Sequence, residues 1–321
     1  MRDEPRAPRR STKRCVLPHA GPARAASYSS AIRRFAAGAA RGPGRRARGD
    51  DARSPISTRN VPMQETRPLF DRVLLTNDDG FDAPGLAVLE RVAAQLAREV
   101  WIVAPVEDQS GTSHSLSLHE PLRVHRKDDR RFAVRGTPGD CVAIAVSHLM
   151  KDARPDAVLS GVNRGANLGT ETVFSGTVGA AMTSMLLGVP AIALSQAFTD
   201  RHAVPWDTAL AHAPDVVRRL VAAGWDSDVC LNVNFPARPA QDVRGLKATN
   251  QGAGTLQGVE IVSGRDPRDI EYHWLKLARA PRDDDADSET VALGEGFISV
   301  TPLKFERTHD HALARLRSSI G

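Results

Sequence analysis

The feature that most restricts this chain is an apolar strand, a helical stretch and a second apolar strand in direct succession. Arg72-Val73-Leu74-Leu75-Thr76 is an apolar run that ends in the polar loop Asn77-Asp78-Asp79-Gly80. Pro84 to Leu96 then places Leu86, Leu89, Val92, Ala93 and Leu96 on one helical face. Val100-Trp101-Ile102-Val103-Ala104 follows as a second strand, stopped by Pro105. Strands joined through a helix lie parallel, and continuous apolar strands are buried on both faces. The unit therefore commits the chain to a mostly parallel sheet covered by helices, an α/β fold.

The pattern recurs downstream. Residues 117–135 read as a strand pair, and Asp140 is expected to cap a helix running to about Met150. Ala157-Val158-Leu159-Ser160 reads as a strand followed by a Gly/Asn-rich loop from Gly161 to Gly169. A helix of small residues (Thr177 to Leu187), a strand (Ala191 to Ser195), a helix (Thr208 to Ala223) and a strand (Val229 to Val233) continue the alternation. From about Pro236 the character changes to an antiparallel excursion over 247–300 with an acidic loop, Asp283 to Glu289. Ile298 to Thr301 returns as a strand and His311 to Leu316 closes as a helix. The expected organisation is an α/β catalytic core over 63–235, then an excursion and C-terminal arm over 236–321.

Charge separates a third piece. The chain carries 43 Lys/Arg and 38 Asp/Glu, a net +5. Residues 1–62 hold 15 basic against four acidic side chains (+11), leaving 28 against 34 (−6) for the rest. The acidic body excludes a uniformly basic nucleic-acid-binding domain. The Arg/Ala/Gly/Pro/Ser composition of residues 1–62 cannot bury enough surface to offset chain entropy, so a disordered basic extension is expected. An organelle transit peptide or an anion-holding arm are the other readings of that composition. Met63, ten residues before the first strand, reads as the native start, with the upstream stretch a mis-assigned beginning. No apolar run approaches the roughly 20 residues of a membrane span. The cysteines Cys15, Cys141 and Cys230 are far apart, which argues against a disulfide framework and a zinc site, and a cytoplasmic setting is expected.

Ligands of open parallel sheets bind beyond the carboxyl ends of the strands. Three polar loops follow strands here, containing Asp78 and Asp79, then Glu107 to Thr112, then Gly161 to Gly169. Asn-Asp-Asp-Gly is also good turn sequence. Its place after a buried strand, with oxygen donors on two further loops, favours a hard cation, Mg²⁺ or Mn²⁺ rather than zinc. Ser175-Gly176-Thr177 opens a helix, where free N–H groups and the helix dipole suit a phosphate, although it also reads as an ordinary N-cap. A P-loop and a Gly-x-Ser-x-Gly elbow are absent. Asn77 cannot act as a carboxylate nucleophile, so attack by metal-activated water is simpler than a phospho-enzyme.

These stretches, with Ala104-Pro105-x-x-x-Gln109-Ser110-Gly111, Gly136-Thr137-Pro138-Gly139-Asp140, Ser160-Gly161-Val162-Asn163-Arg164-Gly165-Ala166-Asn167-Leu168-Gly169 and Ser299-Val300-Thr301-Pro302-Leu303, resemble the SurE family of 5′/3′-nucleotidases. The resemblance runs from about Arg72 to the last helix. It implies a Rossmann-like three-layer core and a C-terminal arm exchanged between subunits of a homodimer or homotetramer. It implies one divalent cation per subunit held by Asp78, Asp79, Ser110 and Asn163, with Asp78 catalytic. Ser175, Gly176, Thr177 and, more weakly, Asn167 are the phosphate-binding residues of this reading, and the substrates are nucleoside 5′- and 3′-monophosphates. Phe174 stands where the family has Tyr, and Glu306 where it has Asp. His114, His309 and His311 are candidate proton donors, each also readable as a packing or surface histidine. No membrane partner is expected. The competing reading, a nucleotide- or nucleic-acid-binding protein working through its basic arm, requires salt-sensitive affinity that disappears when residues 1–62 are deleted.

Overall fold

Apolar runs at regular spacing become parallel strands, and the residues between them become the covering helices. The computed structural model describes residues 68–280 and 282–320; the expectations for residues 1–62, Met63 and Cys15 lie outside them. In chain order the strands are β1 (Phe70–Thr76), β2 (Ala97–Pro105), β3 (Arg123–Arg126), β4 (Arg131–Arg135), β5 (Ala157–Arg164), β6 (Ala191–Gln196), β7 (Cys230–Phe235), β8 (Leu246–Ala248), β9 (Leu256–Arg265), β10 (Glu271–Arg279) and β11 (Ile298–Leu303). The helices are α1 (Pro84–Ala93), α2 (Pro138–Ile144), α3 (Gly176–Leu186), α4 (Trp206–Ala223), α5 (Glu289–Gly294) and α6 (Asp310–Ile320). One sheet runs β3-β4-β2-β1-β5-β6-β7-β11-β8, and β9 pairs with β10 separately. The pairings from β4 through β7 are parallel, while β3 meets β4 and β11 meets β7 antiparallel.

Alternate strand residues feed two cores. Val73, Leu75, Leu159, Ile192 and Leu194 pack with Leu89 and Val92 of α1 and Val216 and Val217 of α4. Leu74, Val158, Ala191 and Cys230 pack with Val142 of α2 and Val178, Ala180 and Ala181 of α3. The result is the expected three-layer α/β sandwich. Among the described residues, no helix is long and apolar enough to cross a membrane.

Four expectations about local structure need correction. Asp140 is not the cap of α2: Thr137 is, because Pro138 fixes the first helical position. Asp140 completes a capping box, its Oδ2 accepting the Thr137 N–H at 2.9 Å while the Asp140 N–H donates to Thr137 Oγ1 at 3.1 Å. The helix is α only to Ile144 and continues as a π turn, Ala145–Leu149. The Gly161–Gly169 stretch begins as strand, since β5 continues to Arg164 with a shift of register against β6 between Ser160 and Asn163. Finally, the excursion is not wholly antiparallel, because β8 lies parallel to β11. Its antiparallel part is the β9–β10 hairpin, which carries Ile261, Trp274 and Leu275 exposed.

Asp140 also ties a distant segment to the core. Its carboxylate accepts the Ser117 N–H at 2.9 Å and the Ser117 hydroxyl at 2.7 Å. Asp140→Ala would strand these donors together with the Thr137 N–H. It should cost about 3 kcal/mol, the scale of a broken buried network. Urea denaturation reads this directly, and an unchanged midpoint would exclude it.

Candidate active site

The sheet order makes β2, β1 and β5 neighbours, so their carboxyl-terminal loops meet on one edge. The loops after β1 and β2 are sewn together by main-chain bonds. Gln109 N–H donates to the Asp78 carbonyl at 2.7 Å and Phe81 N–H to the Pro105 carbonyl at 2.7 Å. A cavity of about 570 Å³ opens there, bordered by Asp78, Ser110, Asn163, Asn167 and Ser175.

Asp78 is only 4% exposed. Burial is the main force raising its carboxyl to about 6; the Thr177 hydroxyl bonded to Oδ1 pulls it down, and the neighbouring Asp79 charge pushes it up. Asp79 is tied to the end of β5. Its Oδ2 accepts the Arg164 N–H at 2.9 Å, and it borders a second cavity of about 480 Å³ with Arg201, His202 and Trp206. Burial raises its carboxyl too, against the bond and charge of Arg164. Ser110 is set by its N–H, which donates to Asp108 Oδ1 at 2.8 Å. The Asn163 amide nitrogen donates to the Gly165 carbonyl at 2.8 Å, which leaves its oxygen as the atom able to ligate.

This donor set suits a hard divalent cation. Two desolvated carboxylates, both harder to ionise than usual, mark a site short of positive charge. Among the described residues no three His, Cys, Asp or Glu gather as a metal group. A cation here would rest on carboxylate plus neutral oxygens and keep positions for water and phosphate.

The anion side is built at α3. The Ser175 Oγ caps the helix by accepting the Val178 N–H at 3.0 Å, and Ser175 borders the cavity. Gly176 and Thr177 are buried behind it, and the Thr177 side chain is spent on Asp78. Asn167 is clamped on every side. Its N–H donates to Asn234 Oδ1 at 2.8 Å and its amide nitrogen to Ser195 Oγ at 2.9 Å. Its carbonyl accepts from Asn232 and Asn234 at 2.9 and 3.1 Å.

Sequence reasoning missed Asn232 and Asn234, both fully buried on the central strand β7. The signal was two amides two residues apart in Cys-Leu-Asn-Val-Asn-Phe, a strand otherwise apolar enough to be buried on both faces. It also missed Arg164 and Arg279, which supply positive charge to the cavity wall. Arg279 is paired with Glu171 at 2.7 Å. None of the three candidate histidines borders the cavity. His114 lies against Met182 and Phe305, and His309 and His311 sit exposed near the start of α6.

Comparison with known proteins places this geometry in context. A sequence model described as Survival protein SurE matches residues 73–258. The chain is 92% identical over 259 residues to 5′-nucleotidase SurE 1 of Burkholderia lata, covering 81% of this chain and 100% of that protein. It is 48% identical over 248 residues to 5′-nucleotidase SurE of Paramagnetospirillum magneticum, covering 77% and 95%. The crystal structure of the SurE protein from Aquifex aeolicus superposes with a TM-score of 0.67 at 31% identity, over 78% of this chain and 100% of that one.

Proposed function

The chain belongs to the SurE family and is a 5′-nucleotidase, and from that premise we propose that it hydrolyses nucleoside 5′- and 3′-monophosphates with one Mg²⁺ or Mn²⁺ per subunit. The observation that carries this reading is the meeting of Asp78, Ser110 and Asn163 with the capped start of α3 in a single cavity. One side of that cavity supplies oxygen donors for a cation and the other supplies donors for an anion.

Asp78, Asp79, Ser110 and Asn163 would hold the cation. The bound ion would supply charge neutralisation and a more acidic water. The protein's own groups do the rest. Thr177 fixes Asp78, the residue we take as catalytic. The Ser175 oxygen is occupied by the Val178 N–H, so its proton is left for a phosphate oxygen. The main-chain N–H groups of Gly176 and Thr177 lie at the positive end of α3, and Asn167 is held in place for the same anion. Catalysis is then mostly positioning and electrostatics.

Two further parts of the reading have support. Exposed Ile261, Trp274 and Leu275 on a two-stranded hairpin that is marginal alone, and a C-terminal helix with no buried residue, favour self-association. Unpaired, buried Cys141 and Cys230 suit a reducing cytoplasm.

Phosphate release from AMP, with and without chelator, tests the function. EDTA should abolish turnover and Mn²⁺ or Mg²⁺ should restore it. Full activity in EDTA would refute the metal, and no release from any nucleoside monophosphate would refute the substrate class.

A further inference from the structure

Glu289 is a carboxylate with 0% exposure that the reaction above does not use. It is the first residue of α5, after the N-cap Ser288. Its two oxygens have separate donors: the Gly169 N–H donates to Oε1 and the Thr301 hydroxyl to Oε2. Thr301 in turn shares a 2.8 Å hydrogen bond with Thr249. Burial pushes the Glu289 carboxyl up, while Thr301 and Gly169 pull it down.

Packing alone does not call for an acid here, because an apolar residue of similar size fills such a site at less desolvation cost. What the acid holds is Gly169. This residue ends the loop carrying Asn167 and begins the 3-10 turn Gly169–Phe174, which leads directly into Ser175. Gln251 grips the same turn, its amide donating to the Gly169 carbonyl and to Thr172 Oγ1, each at 2.8 Å. Both holds come from the C-terminal third of the chain, and Glu289 lies beyond the residues 73–258 that match the family model.

We infer that Glu289 is a positioning residue, acting through the Gly169 N–H to hold Asn167 and Ser175 at the phosphate end of the cavity. This rests on the reading of those two residues as phosphate ligands. The interaction needs an acceptor at Oε1 and no negative charge. In Glu289→Gln, the amide oxygen accepts from Gly169 and the amide nitrogen donates to Thr301, which then donates to Thr249. Glu289→Met fills the same space with only a thioether sulfur, a poor acceptor.

The test is binding of inorganic phosphate to the Mn²⁺-loaded full chain by calorimetry, with a separate Mn²⁺ titration. Glu289→Met should weaken phosphate about tenfold, the scale of one hydrogen bond to a charged group. Its Mn²⁺ affinity should stay unchanged, and Glu289→Gln should restore phosphate binding. Wild-type phosphate affinity in a folded Glu289→Met, equal loss in Glu289→Gln, or a parallel loss of Mn²⁺ would each overturn the inference. Should Glu289→Met fail to fold, hydrogen exchange at the Gly169 amide decides. It must be slow in the wild type and in Glu289→Gln, and fast exchange in either overturns the proposal. Phosphate binding that follows this pattern in a wild type unable to hydrolyse nucleotides would sink the functional reading and leave Glu289 in place.

Discussion

Asp78→Asn is expected to lower AMP hydrolysis about 1000-fold and, with metal stripped, to make the protein more stable at neutral pH. Both effects come from one carboxylate. An ionised Asp78 is useful only to a cation, and without one it is a desolvated charge beside Asp79. Its carboxyl titrates at 3.8 when unfolded and at about 6 in the folded chain. The folded state therefore binds the proton more tightly. The stability contributed by this group is fully present below pH 3.8 and is lost as pH rises through about 6, a loss of up to about 3 kcal/mol. Asparagine keeps an oxygen to accept the Thr177 hydroxyl and has no charge to desolvate. Thermal melts in EDTA at pH 8 should place Asp78→Asn above the wild type, and at pH 4 the gap should close. Excess Mn²⁺ should reverse the order at pH 8, because mass action stabilises only the chain that binds it. Wild-type turnover in the variant, or an equal gap at both pH values, would defeat this account.

The sequence announces the sheet better than the site. Long apolar runs such as Val73 to Leu75 and Ala191 to Leu194 locate strands to within a few residues, because burial on both faces leaves no other composition. Glycine obscures the end of β5, so Asn163 reads as loop although it lies opposite Ser195 in the sheet. Asp78 and Asp79 are adjacent in sequence and suggest one undivided cavity, yet Asp79 borders a second one and gives an oxygen to the Arg164 N–H. Asn232 and Asn234 stand out as amides in an apolar strand, but what they hold is not legible because their partner, Asn167, is more than 60 positions away. Glu289 looks solvated at the end of an acidic loop. Its burial depends on β11 and the Gly169 turn closing over it, which local sequence cannot express.

Gly176→Ala should lower turnover about 100-fold, the effect of a displacement of about 1 Å in a catalytic group, and weaken Mn²⁺ binding while leaving the fold intact. A methyl at Gly176 would lie 2.7 Å from Asp78 Cβ, 2.9 Å from Asp78 Oδ2 and 3.1 Å from Pro138 Cγ. The atoms in its way belong mainly to the Asp78 side chain, so Asp78 must yield. It cannot yield freely, because Thr177, the next residue of α3, holds its other oxygen. Stability should fall as well, because the nearest atom, Asp78 Cβ, is fixed by its own backbone and part of the crowding falls on the segment after β1. Gly179→Ala supplies the contrast one turn later. Its methyl would fall 2.2 Å from the Ser113 carbonyl oxygen and 2.8 Å from the carbonyl carbon, and main chain has no rotamer to change. That variant should lose more melting temperature, along with activity, because α3 and the loop holding Ser113 must part. Circular dichroism, melting curves and AMP kinetics on the two proteins separate a glycine that makes room for a cation ligand from one that makes room for the backbone. Wild-type kinetics in Gly176→Ala would mean that α3 does not govern the position of Asp78, and the coupling between the anion and cation sides of the cavity would be lost with it.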